Sequence, residues 1–292
     1  MIEQALYKHL QGQGDLREFL ATYGDEGDMA IFNQEAPADR DELWGDGNQY
    51  GRIVFAVDLQ GDPERILGGR LSVDIMCKDD EDYEYTPEDI EPVLRRLIHG
   101  YFFSNCTFTV AAQWKNTSYF TEQTNHVIGC TQTYDLLGFP VITTSNPDVV
   151  ERINEWTSQT FPALHVINYN ELPDCAWKPQ GGESAVYWRL VSEAPAGWIP
   201  NTFSTIWQTA ILKCHIFSED VATASTVARD IAIRLHADKR LLKAGETPIM
   251  VNRKNTTDNS ADPLRTGQLT VEATYGVIVY FENAGKLENI NY

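Results

Sequence analysis

Leu71-Ser72-Val73-Asp74-Ile75-Met76-Cys77 alternates apolar and polar residues, and Leu212-Lys213-Cys214-His215-Ile216 repeats the alternation 141 positions later. A period of two puts every second side chain on the same face, the pattern of a strand with one side in a core. Both stretches run into acidic turns, Asp79-Asp80-Glu81-Asp82 and Ser218-Glu219-Asp220. A helical pattern follows each turn. In the first, Thr86 is placed to cap and Pro87 to open the helix, with Ile90, Val93, Leu94, Leu97 and Ile98 as its apolar stripe. In the second, Val221, Ala224, Val227, Ala228, Ile231 and Leu235 form the stripe.

Working outward, each half closes with a hairpin pattern. Val110, Ala112 and Trp114 lead to Lys115-Asn116-Thr117, and Ile249, Val251 and Arg253 lead to Lys254-Asn255-Thr256. The return strands, Ile128 to Leu136 and Leu269 to Val277, regain the spacing of 141. Each half also opens alike. Ile2, Ala5, Leu6 and Leu10 recur at helical spacing; Asn146-Pro147 reads as a cap and first turn ahead of Val149, Val150, Ile153 and Trp156. A short apolar run comes next (29 to 32; 163 to 167), then a turn-rich segment with a tryptophan, Trp44 or Trp177. Alternating strands follow at Ile53, Phe55, Val57 and, 133 positions on, at Val186, Trp188, Leu190.

The order of elements therefore predicts an α+β chain of two similar domains, 1–140 and 141–292, joined near Gly138-Phe139-Pro140 and descended from one duplicated unit. Each is expected to be a mainly antiparallel sheet of about four strands covered by one or two helices. The segments 33–52 and 168–183 read as long loops, which in compact domains usually serve contacts.

Composition narrows the function. An apolar fraction of 42% with thirteen Tyr, twelve Phe and seven Trp supplies enough apolar surface for two cores, so a disordered chain is excluded. A net charge of −19 repels phosphate backbones and anionic membranes, so adhesive nucleic-acid binding is disfavoured, whereas an acidic wall past which DNA slides is not. No apolar run approaches the ~18 residues of a membrane span. The opening residues lack the basic-then-apolar layout of a signal peptide. Cys77, Cys106, Cys130, Cys175 and Cys214 are odd in number and lack CxxC spacing, which points to buried free thiols in a reducing compartment.

No catalytic constellation emerges, and neither a metal nor a cofactor is implied. Gly45 to Gly51 has glycine spacing reminiscent of a dinucleotide loop, but it precedes a strand and so cannot seat phosphate on a helix N-terminus. Cys214 and His215 are adjacent on a strand and point to opposite faces, a core thiol and an exposed imidazole. His99 and His236 fall near corresponding helix ends, where a cationic ring would suit the carbonyl end of the dipole. The acids 79–84 lack the ligand alternation of a calcium loop and read as a solvated turn. Four residues stand out as interface candidates. Lys115 and Lys254 are expected at hairpin tips, where they face an acidic neighbour or a DNA phosphate, or are turn residues kept by ancestry. Trp44 and Trp177 are either loop anchors or contact residues.

The opening run Met1, Ile2, Glu3, Ala5, Leu6, Tyr7, Leu10, followed by strands, a helix and a closing hairpin, resembles the tail terminator and tail completion proteins of tailed bacteriophages and related neck proteins. The chain departs from that pattern in being about twice the single-domain length. The resemblance implies a non-enzymatic virion protein, assembled in the host bacterial cytoplasm, that forms a ring on the tail tube and joins it to the head. Its partners would be itself (as a trimer or hexamer), the tail-tube protein and a neck or head-completion protein, with DNA only as transiting cargo and no membrane. The alternatives are another neck or tail-tube component, a host-interaction module that binds through the 33–52 and 168–183 loops, and an enzyme of unrecognised type.

Overall fold

The strand read from residues 71–77 is the middle of a longer ladder. The computed structural model describes residues 2–45, 48–62, 66–80, 84–105, 108–123, 126–144, 147–170, 172–202, 204–243, 246–252 and 255–279. The chain divides into two units: Met1–Val141 together with Leu172–Lys178, and Ile142–Glu171 together with Pro179–Tyr292. The stretch 172–178, assigned from the sequence to the second domain, belongs to unit 1.

Unit 1 begins with α1 (Ile2–Gln11), a small ribbon of β1 (Thr22–Tyr23) and β2 (Asp28–Met29), and β3 (Ile31–Asn33). Then come β4 (Arg52–Asp62), β5 (Ile66–Lys78), α2 (Pro87–Ile98), β6 (Phe102–Ser104), β7 (Phe108–Glu122) and β8 (Val127–Pro140). Unit 2 has α3 (Val149–Thr160) and β9 (Leu164–Val166) before the excursion that carries β10 (Ala176–Trp177), then β11 (Ser184–Pro195), β12 (Thr205–Ser218) and α4 (Val221–Asp238). It ends with β13 (Arg240–Leu241), β14 (Ile249–Val251), β15 (Thr256–Thr257) and β16 (Leu269–Ile278).

The sheet of unit 1 runs β10-β6-β7-β8-β5-β4-β3, and that of unit 2 runs β13-β14-β16-β12-β11-β9 with β15 also on β16. In each, the pairing is antiparallel throughout except for one short parallel strand at the edge, β3 on β4 and β9 on β11. The helices occupy matching places in the order, one ahead of the edge strand and one after the second long strand. Among the described residues these sheets have seven strands each, not about four. The additional strands are two or three residues long, too short for an alternation to register in the sequence, and β10 arrives from a distant stretch of chain.

The helices cover one face. In unit 1 the stripe of α2 (Ile90, Leu94, Leu97, Ile98) and that of α1 (Ile2, Ala5, Leu6, Leu10) share a core with Ile53, Phe55, Val73, Ile75, Val110 and Tyr134. Burying an aliphatic or aromatic side chain of this kind stabilises by roughly 1.5–3 kcal/mol, which is why the apolar stripes dictate which helix face meets the sheet. Thr86 does open α2: the Asp89 carboxylate reaches back to accept from the Thr86 N–H and hydroxyl at 2.9 and 2.8 Å. For α3 the cap is Asp148, whose Oδ1 accepts from Val150 and Glu151, both at 3.0 Å. The expected cap Asn146 lies outside the described residues. In α4 the stripe is Ala224, Ala228, Ile231 and Leu235, while Val221, expected inside, is exposed at the first turn.

Candidate functional site

Of the four interface candidates, the two tryptophans are buried in unlike places. Trp44 forms a satellite cluster with Ala21, Ala30, Tyr23 and Phe32, apart from the main core. Its indole N–H donates to the Ala38 carbonyl at 3.0 Å, its backbone bridges Tyr23, and the Arg52 guanidinium lies 5.9 Å from its ring. Trp177 sits in β10, paired to Phe102 of β6, with the two ring centroids 5.9 Å apart and Phe139 beyond. Both anchor their loops.

Lys115 is not at a hairpin tip. β7 continues past it to Glu122, and its hairpin partner β8 begins only at Val127. Lys115 is instead the extra residue of a bulge: Trp114 pairs with Tyr134 and Asn116 with the next residue back, Thr133. Its ammonium lies 3.2 Å from the Asp135 carboxylate on the neighbouring strand. The Lys-Asn-Thr run looked like a turn because its polar residues resemble a loop, yet the bulge absorbs them within the ladder. Lys254 lies outside the described residues.

Beside this bulge, α2 is tied to the sheet by polar groups. Glu91 Oε1 accepts from the Thr117 hydroxyl at 2.9 Å and the Gln132 amide at 3.1 Å; Gln132 Oε1 in turn accepts from the Tyr134 hydroxyl at 2.6 Å. Arg95, whose guanidinium is 3.7 Å from Glu91, stacks over Trp114 at 4.9 Å. Each of these groups has a partner, so the network fixes helix against hairpin. Tyr275, 141 positions after Tyr134, is buried at the matching place in unit 2 and donates to Glu193 instead.

Three buried thiols, Cys77, Cys130 and Cys214, are unsuited to nucleophilic chemistry. Burial, aided by Glu88 and Asp89, pushes Cys77 up to about 12. Burial likewise pushes Cys130 up to about 12, and Cys214 is also raised. A thiol so raised carries almost no thiolate at neutral pH. Cys175 differs from the expectation of burial in being exposed, and Cys106 lies outside the described residues. Two histidine expectations are corrected. His215 is buried, not exposed, because the loop ahead of β16 covers it, and the Pro263 carbonyl of that loop accepts from its Nδ1–H at 2.8 Å. His99 is held below its ordinary value by burial and then by Lys178 and Arg95, and its Nδ1 accepts from the Trp114 N–H, so the ring is neutral. The cation at that helix end is Lys178, whose Nζ donates to the His99 carbonyl at 3.0 Å.

The surface features that sequence reasoning missed are at the ends of the sheets. In unit 1, β6 is covered by β10, with Ser104 N donating to Cys175 O at 2.8 Å. In unit 2, the corresponding outer strand β13 is terminal, and among the described residues nothing pairs with its outer edge. Next to it lies a hollow of about 580 Å³ lined by Trp198, His236, Lys239, Arg240, Met250 and Glu272, among others. Trp198 is 66% exposed, the most exposed aromatic side chain among the described large hydrophobics. The signal for it was present: a tryptophan within Pro195-Ala196-Gly197-Trp198-Ile199-Pro200, a turn-rich stretch with no core to fill.

No protein-family model matches the chain, and no curated protein matches it. Among the described residues no helix is long and apolar enough to cross a membrane, and no three His, Cys, Asp or Glu side chains gather as a metal site.

Proposed function

We propose that this chain is a non-catalytic structural virion protein, built from one duplicated α+β unit, that assembles into a ring closing the phage tail tube and joining it to the head and neck. The observation that carries the reading is the recurrence of one strand order, with one parallel edge strand and two helices, in both units. A unit that occurs twice in one chain and leaves a sheet edge open is suited to head-to-tail contacts, which close into rings when the rotation between neighbours permits. Three copies would then present six units in one tier, or six copies two tiers. The net charge of −19 suits a conduit through which DNA passes without being held. Raised thiols and a fully partnered Glu91 network support a role without chemistry.

Light scattering after size exclusion, with negative-stain imaging, tests this. A closed ring with a central hole that halts tube growth when mixed with tail-tube protein is the expected result. A stable monomer that never assembles, alone or with tail-tube protein, favours the binding module instead. Loss of function on replacing a single His or Cys, with folding intact, favours an enzyme.

A further inference from the structure

We infer that the open β13 edge of unit 2 and its adjoining hollow are the seat for the exposed 38–43 loop of a second copy of this chain. The inference rests on the self-assembly reading above and specifies its contact.

The precedent is within unit 1. There the matching edge strand, β6, receives β10 from the segment that lies between β9 and β11 in sequence. The segment in the same place in the first half of the chain, between β3 and β4, contains Asp41-Glu42-Leu43-Trp44, which aligns with Asp174-Cys175-Ala176-Trp177 at the spacing of 133 shared by the following strands. Both are acidic–apolar arms. The 38–43 stretch is exposed throughout, including Leu43 at 43%, so it is presented outward while Trp44 anchors its base.

The acceptor is complementary in charge and character. In a chain of net charge −19, the hollow gathers Lys239, Arg240 and His236 against the single acid Glu272, with Trp198 and Met250 as apolar surface. Asp41 and Glu42 supply the opposite charge and Leu43 the apolar group, while Asp39 is held by Arg52 at 2.7 Å and secures the loop to its own unit. The helix ends agree. In unit 1 the left-handed residue after α2 is Gly100, and the arriving arm brings Lys178 within 3.3 Å of where its Cβ would stand. In unit 2 the left-handed residue after α4 is Lys239 itself. The host supplies the cation there, and the arm residue that corresponds to Lys178 is Gly45. An unpaired strand edge is a template for pairing with another chain, and placing cations on it steers which chain arrives.

The test is a charge exchange followed by sedimentation velocity at about 100 μM, where even a micromolar contact is populated. Lys239→Glu with Arg240→Glu should weaken self-association by more than about tenfold, Asp41→Lys with Glu42→Lys should do the same from the other surface, and the four changes together should recover most of it. The second pair keeps the test valid if the first disturbs α4. Wild-type assembly that survives both pairs, with circular dichroism unchanged, overturns this seat and leaves the ring reading intact. Wild-type protein that stays monomeric overturns both.

Discussion

The two units share a strand order and differ in how each finishes its sheet. Unit 1 has a single long hairpin, β7 and β8 at 15 and 14 residues, and a guest strand on its outer edge. In unit 2 the counterpart of β7 is broken into β14 and β15, three and two residues long, and a loop of residues 258–268 folds over the far side of β12 instead. The same topology is thus stabilised in one case by added ladder and in the other by a packed loop. The comparison teaches that the central strands and helices define the unit, while the last edge is free to be specialised.

Predictions follow that difference. Trp177→Ala removes the anchor of the guest strand, and truncating a buried tryptophan costs about 3–5 kcal/mol. Calorimetry should show the unit 1 transition falling while that of unit 2 is unchanged; an unaltered unit 1 would mean that β10 adds nothing to its stability. On the other side, Arg152 is buried and forms an ion pair with Glu246. Glu246→Ala leaves a guanidinium uncompensated, at a cost of about 3 kcal/mol to unit 2, read from its urea midpoint. Gly267 has φ +72°, and a Cβ there would stand 2.8 Å from the Cys214 carbonyl oxygen. Gly267→Ala should lower unit 2 by roughly 1–3 kcal/mol, because both the left-handed backbone and the close approach forbid a side chain.

A pH scan sharpens the contrast. Burial lowers His9 below its ordinary 6.5, opposed by its bond to the Leu97 carbonyl at 2.8 Å and by Asp174. A histidine held neutral in the folded state contributes its full stability above about pH 6.5, and that contribution is lost as pH falls toward the folded value. Between pH 7 and 5 the unit 1 transition should therefore fall more steeply in the wild type than in His9→Gln, with unit 2 tracking equally in both. The smallest effect belongs to Lys115→Ala. Its pair with Asp135 is half-exposed, so unit 1 should change by no more than about 1 kcal/mol on thermal unfolding.

Long, strongly periodic elements were legible in the sequence. Alternation at 71–77 and 212–216, the stripes at Ile90 to Ile98 and Ile2 to Leu10, and the Thr86-Pro87 start each arise from contacts between residues a few positions apart, so their pattern is local. The candidate site was legible only in fragments. Trp44 and Trp177 read alike in matching turn-rich loops, yet one stays in its own satellite cluster and the other crosses to pair with Phe102. Lys115 read as a tip because a bulge and a turn draw on the same polar residues.

What the amino-acid order determined alone is the α+β class, the apolar faces of the central strands and helices, and the acidity of the surface, since these depend on side-chain periodicity and charge. Only the tertiary structure decided the number of strands, the burial of His215, the guest strand on β6 and, among the described residues, the open edge at β13. Edge pairing joins residues that are far apart in the chain through backbone N–H and C=O groups, which every residue carries, so no side-chain pattern announces it.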